Sequence, residues 1–341
     1  MKVGLIDVDG HNFPNIALMK ISSYHKNFGD TVEWYNPLES YYDIVYLSKI
    51  FSFSEDYKLP INAREAIIYG GTGYQIKTTK KGESFTNLPN KRFLSPYKPR
   101  IQFNVKLSDT IEHKCPDYSI YPHLTKDTAF GFLTRGCPRK CKFCHVATKE
   151  GERSIKVADL SHFWYGQKNI VLCDPNILAC RDWKKLLQQL IDSKAWIDFN
   201  QGLDIRLMDE EKAQMITDCK MDSVHFAWDR YEDGKVIIPK LKLFREVYER
   251  KKKWNEHGKI VFVLVNFDTT PEQDLERIYT LRELGYWGFV MIYDKENCTD
   301  RFYKDLARWV NNRKIFAVCK TFDEYLQYMR TNKTSNHGKE D

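Results

Sequence analysis

Ala129-Phe-Gly-Phe-Leu133-Thr-Arg-Gly-Cys137-Pro-Arg-Lys-Cys141-Lys-Phe-Cys144-His145 is a short apolar strand that runs directly into a loop carrying three cysteines. The spacing is Cys-x3-Cys-x2-Cys. Three soft thiolates on so short a segment converge on one point, which predicts a metal centre. Three is also an incomplete set, because structural zinc sites and electron-transfer iron–sulfur clusters close with four ligands. An open-sided cluster is one reading. A zinc site with His145 as fourth ligand is another, although His145 directly follows Cys144 and no second Cys-x2-Cys knuckle comes after it. Unligated core cysteines are a third. A disulfide framework is disfavoured by the odd count in this loop.

Outward from this loop, the chain settles into strand–helix alternation. Strands are predicted at Ala129–Leu133, Asn169–Cys173, Trp196–Phe199, Ser223–Ala227, Lys259–Val265 and Phe289–Tyr293. Helices are predicted between them at Arg181–Ser193, Asp209–Asp218, Lys240–Trp254, Pro271–Leu284 and Asp300–Asn311. Six βα units imply a parallel sheet, with ligands at the carboxyl ends of the strands. Residues 1–75 read as a smaller α/β unit, with strands at Lys2–Val8, Thr31–Tyr35, Asp43–Leu47 and Ala66–Tyr69 and a helix over Pro14–Phe28. The last strand ends in Gly70-Gly-Thr-Gly73. Residues 76–125 read as a polar connector containing Pro89, Pro96, Pro99, Pro116 and Pro122. The core domain then spans 126–320. A C-terminal helix and polar tail occupy 321–341, with the tail after Thr331 expected to be disordered.

The loop and the βα order after it resemble the radical S-adenosylmethionine (SAM) enzymes. That resemblance implies a partial (β/α)6 barrel in which Cys137, Cys141 and Cys144 hold a 4Fe-4S cluster. The fourth iron would chelate SAM, and one electron would cleave SAM to a 5′-deoxyadenosyl radical. Phe143 fills the aromatic slot near the adenine. The N-terminal unit is similar to the Rossmann-like, cobalamin-binding domain of one branch of that family, which makes cobalamin a candidate ligand. The histidine-ligand motif of cobalamin proteins is incomplete here, because Pro14 stands where glycine would follow His11. A vestigial domain that covers the barrel mouth or recognises substrate is the alternative.

Polar residues recur at every predicted strand end. Asp174 and Asn176 replace the motif that grips the SAM amino group in the family, and with Arg206 they are the candidate catalytic residues. Arg206 could pair with the SAM carboxylate or, equally, with Asp204. By the resemblance Asp229 meets the SAM ribose, while Asp204 and Asn266 belong to the cofactor-binding rim. Asn266 and Thr269 stand where two glycines are usual. One strand-end carboxylate is an ordinary helix cap, but six polar strand ends on one rim suggest a site. Cys173 is predicted to be core, and Cys115 is a candidate thiol for chemistry.

The 341 residues are 42% hydrophobic with a net charge of +7. No run approaches the ~18 apolar residues of a membrane span, and acids interrupt the N-terminus at once, so a cytoplasmic protein is expected. The resemblance implies a reductant such as flavodoxin or ferredoxin. A nucleic acid or a peptide is the candidate substrate. Cations are denser at Lys77–Arg100 and at Arg250–Lys253, the latter read first as a solvated helix end. A non-catalytic, metal-stabilised nucleic-acid-binding protein is the competing function.

Overall fold

The computed structural model describes residues 1–10, 13–79, 82–85, 99–103 and 107–336. His11, Pro89, Pro96 and most of the basic stretch from Lys77 to Arg100 lie outside them. The chain is mixed α/β with parallel sheets and forms two compact units, Met1–Asp198 and Phe199–Asp341.

The first unit opens with β1 (Lys2–Asp7), α1 (Ile16–Asn27), β2 (Thr31–Trp34), β3 (Tyr42–Ser48) and β4 (Ala63–Gly70). A short antiparallel hairpin follows, β5 (Ile76–Thr79) and β6 (Gly82–Phe85), and then β7 (Arg100–Gln102). Five of these strands make one all-parallel sheet in the order β2-β1-β3-β4-β7. Its fifth strand comes from the segment read as connector, where three residues and little periodicity left no signal. The order reverses at β1, so the switch point lies between the carboxyl ends of β1 and β3. Asn15 caps α1 by accepting from the Leu18 amide at 3.2 Å, and its Nδ2 donates to Ser48 Oγ at 2.9 Å. One buried side chain thus ties the helix start to the end of β3. Leu18 and Ile21 of α1 pack on Val3 and Leu5 of β1.

The same unit continues through α2 (Asp109–Glu112), α3 (Pro122–Thr125), β8 (Thr128–Gly131), β9 (Thr134–Arg135), α4 (Val146–Glu150) and β10 (Ile155–Lys156). Next come β11 (Asn169–Leu172), α5 (Trp183–Ser193) and β12 (Trp196–Phe199), the last running into the second unit. Strands β8, β11 and β12 are parallel, with β11 central. Leu186, Leu187 and Leu190 give α5 a fully buried stripe at helical spacing.

The second unit holds α6 (Glu210–Asp218), β13 (Met221–Ala227), α7 (Gly234–Glu249), β14 (Lys259–Val265), α8 (Pro271–Glu283), β15 (Trp287–Ile292), α9 (Arg301–Asn311), α10 (Arg313–Val318) and α11 (Phe322–Asn336). Strands β13, β14 and β15 are parallel neighbours. Burial alternates strictly along β14, as a strand with one face in the core requires. Helix α7 begins six residues before its predicted start. Pro239 lies inside it, and a proline ordinarily marks a boundary. The disorder expected after Thr331 is corrected as far as Asn336, to which the α11 backbone stays helical, and residues 337–341 lie outside the described residues.

Candidate functional site

The cysteine loop leaves β8 and is shaped by four contacts. Gly136 adopts φ +82°, and a Cβ there would lie 2.3 Å from the Arg153 carbonyl, so only glycine fits between Arg135 and Cys137. Arg135 pairs through Nη1 with Glu150 at 2.9 Å and stacks over the Phe132 ring. The Cys137 amide donates to the Gly151 carbonyl at 3.0 Å, closing the loop onto the end of α4. The Cys144 amide donates to the Cys141 carbonyl at 3.0 Å, which turns the chain between the last two cysteines.

Two of the predicted site residues act on this loop. Asp174 is buried just after β11. Its Oδ2 accepts from the Leu133 amide at 3.1 Å, and its Oδ1 accepts from the Thr134 amide at 2.5 Å and the Thr134 hydroxyl at 2.6 Å. Burial lifts its pKa to about 6, against the opposing pull of those three donors. The carboxylate therefore fastens the entry of the cysteine loop to the neighbouring strand. Asn176, also buried, donates from Nδ2 to Cys137 Sγ at 3.5 Å. This contact ties the loop after β11 to the first cysteine. Ser154 Oγ donates to the Asn176 carbonyl at 2.8 Å and holds the asparagine backbone in place.

Cys137, Cys141 and Cys144 are half-buried, whereas Cys173, Cys180, Cys219, Cys298 and Cys319 are buried. Burial holds the Cys173 thiol far above its ordinary pKa, as befits an inert core cysteine. Cys115 is half-buried, and burial raises its pKa too. The donor chemistry of the loop suits a thiolate-held cluster, being three soft ligands reachable from solvent with one already hydrogen-bonded at sulfur. The sulfurs are not gathered into a cage: among the described residues no three His, Cys, Asp or Glu side chains form a group able to hold a metal ion. Phe143 is half-buried in the loop between the second and third cysteines.

The loops at the carboxyl ends of β1, β3 and β4 are hydrogen-bonded to one another. Asp9 accepts from the Ile50 amide, from the Phe51 amide at 3.2 Å and from Ser54 Oγ at 2.5 Å, bridging the switch point. The Gly73 amide donates to the Lys49 carbonyl at 2.8 Å. A Cβ on Gly71 would lie 2.2 Å from that same carbonyl. The crevice that a ligand of such a sheet would use is thus bridged by hydrogen bonds between the chain's own loops.

The second unit carries a separate polar group at its strand ends. Arg206 gives Nε to Asp204 Oδ1 at 2.7 Å and Nη1 to Asp233 Oδ2 at 2.8 Å, and the two carboxylates raise its pKa further. Its fork is engaged by protein acids, so the pairing with Asp204 offered by the sequence is present. Asp233 was not foreseen, because it lies 27 residues away on the turn that opens α7. Asp229 is half-buried just beyond β13, and its carboxylate, unlike its backbone carbonyl, makes no hydrogen bond or ion pair among the described residues; burial lifts its pKa to about 6. Asn266 takes φ +63° and donates from Nδ2 to the Tyr293 carbonyl at 2.9 Å, clasping the ends of β14 and β15. Asparagine is among the few residues other than glycine that adopt this conformation readily.

Arg277 is the largest omission of the sequence reading. It is fully buried on α8 and pairs with the equally buried Asp274. Its Nη1 donates to the carbonyls of Trp228 at 2.5 Å and Asp229 at 3.1 Å, and its Nη2 donates to that of Leu264 at 2.8 Å. One guanidinium thus holds the carboxyl ends of β13 and β14 in register. Its place between apolar helix positions carries no signal that separates it from a surface arginine.

Compared with family models and with curated proteins, the chain matches none.

Proposed function

We propose that this chain is a radical SAM enzyme in which Cys137, Cys141 and Cys144 hold a 4Fe-4S cluster. The observation that carries the reading is the Cys-x3-Cys-x-Phe-Cys loop at the carboxyl end of a parallel strand, with Asn176 donating to Cys137 from the loop after the adjacent strand. For the fold, we read the strands from β8 to β15 as a partial (β/α)6 barrel and the first sheet as a Rossmann-like domain without a corrinoid. When bound, such a cluster supplies the electron for reductive cleavage of SAM.

The protein's part is positional. Asp174 sets where the loop begins, and Asn176 ties Cys137 to the loop after the adjacent strand through its sulfur. Asp229 offers an unengaged carboxylate at a strand end, suited to accept a hydroxyl such as the ribose of SAM. Asn266 supplies the left-handed turn that glycine provides elsewhere in the family. Arg206 orders the Asp204–Asp233 rim.

Anaerobic reconstitution tests the reading. The expected result is about four iron and four sulfide per chain, brown colour, and SAM cleavage under reduction that is lost in Cys144→Ala. Stoichiometric zinc without SAM turnover would replace it with the metal-stabilised binding protein.

A further inference from the structure

We propose that the cysteine-loop face of the first unit binds single-stranded nucleic acid, with Phe51 and Phe53 stacking bases and Lys142 and Arg153 meeting phosphates. This deepens the function proposed above by naming its substrate class, and it rests on that reading only for the chemistry that follows binding.

The charge is concentrated where it matters. The segment Arg135–Lys156 carries seven basic and two acidic residues, a net +5 against +7 for the whole chain. Its acids are matched: Glu150 pairs with Arg135 and Glu152 with Lys140, while nearby Asp159 pairs with Lys156. Lys142 and Arg153 are exposed and have no acid partner among the described residues. In the basic run Arg250–Lys253, three of the four cations are engaged locally, and Lys253 is exposed. Arg250 pairs with Glu210 and Lys251 with Asp218, and Lys252 donates to the carbonyls of Thr217 and Cys219. It is the structural helix end that the sequence allowed.

Charge alone would suit any polyanion. The aromatic pair selects among them. Phe51 and Phe53 are 51% and 63% exposed and stacked on each other, with centroids 5.1 Å apart and planes 17° from parallel. Large apolar rings held open to water are costly, and the Asp9 bonds to the Ile50 and Phe51 amides fix the loop that presents them. Of the acids beside the pair, Glu55 pairs with Lys58 and Asp56 with Lys49, while Asp9 is held by the Ile50 and Phe51 amides and the Ser54 hydroxyl. The Gly70–Gly73 turn connects the two features. The Gly73 amide bonds to Lys49, two residues before Phe51, and Thr72 Oγ1 accepts from Lys149 on α4, directly after the cysteine loop. Stacking platforms beside cationic tracks are the means by which single strands are held without base-pair readout. Rings held open beside a cationic track suit unstacked bases, whereas a duplex hides its base faces.

Fluorescence anisotropy of the full chain with a fluorescein-labelled mixed-sequence 20-nucleotide single strand, as RNA and as DNA, tests the proposal. Binding should weaken as salt rises, and the duplex of the same sequence should bind more weakly. Lys142→Glu with Arg153→Glu should lower affinity at least about ten-fold and flatten the salt dependence. Phe51→Ala with Phe53→Ala should lower affinity about five- to hundred-fold with the salt slope unchanged, and Phe51→Trp with Phe53→Trp should retain it. Unaltered circular dichroism melts check that each variant is folded. Equal binding of duplex and single strand, or full affinity in the phenylalanine double variant, would overturn the proposal. Iron content and SAM cleavage are read separately on the same wild-type protein, so loss of cluster chemistry and absence of nucleic-acid binding are separate failures.

Discussion

Replacing Asp174 by Asn isolates the energetics of the loop entry. The carboxylate is buried and accepts three hydrogen bonds, yet its pKa stands at about 6 against 3.8 for a solvated aspartate. Desolvation therefore outweighs the donors. A folded-state pKa above the unfolded one means that this group adds stability as pH falls. The contribution is complete below pH 3.8 and is lost as pH rises through about 6. A shift of roughly two units is worth at most about 3 kcal/mol, of which about 1.4 kcal/mol is recovered between pH 8 and pH 5. In Asp174→Asn the amide oxygen can still accept from Thr134, but the Leu133 amide then faces an NH2 group and loses its acceptor, a cost of about 1–3 kcal/mol. Relief of the buried charge offsets that near pH 8. The variant should thus lie within about 2 kcal/mol of wild type at pH 8 and fall behind by a further ~1.4 kcal/mol at pH 5. Urea unfolding of the metal-free chain at the two pH values measures this difference. A gap that is flat with pH, or one that widens toward pH 8, would refute the assignment of burial as the dominant influence on Asp174.

Arg277→Met leaves Asp274 as an unpaired buried acid and three strand-end carbonyls without their donor, so it should cost about 3–5 kcal/mol in chemical unfolding, and adding Asp274→Leu should recover much of the loss. Asn176→Ala removes the side chain that rests against Cys137 Sγ and should open that sulfur to reagent, so iodoacetamide should alkylate Cys137 faster in the metal-free chain, as read by peptide mapping; an unchanged rate would remove Asn176 from the loop's packing. Asn266→Ala should destabilise more than Asn266→Gly, by about 1 kcal/mol in thermal melts, because both lose the Tyr293 contact but only alanine is strained at positive φ.

Much of the architecture was legible because its cause is local. Strand β14 and strand β12 lie where alternation and β-branched runs placed them, and α5, α6, α8 and α9 match their predicted spans to within two residues. The misses have local causes as well. Pro239 masks the start of α7 because the backbone tolerates there what propensity disfavours. Strand β7 is only three residues long and is created by pairing with β4 rather than by its own pattern.

The candidate site divides along the same line. By itself the sequence determined the identity and spacing of Cys137, Cys141 and Cys144 and the strand that delivers them, since a loop of eight residues has few ways to point. Only the tertiary structure decided what the buried polar groups do. Asp174 turned inward to Leu133 and Thr134, Asn176 reached Cys137 across 39 residues, Arg206 was shared with Asp233, and Arg277 bridged two strand ends. The physical reason is that a buried donor or acceptor must find its partner wherever packing brings one, and that partner is set by the fold and not by the neighbouring sequence.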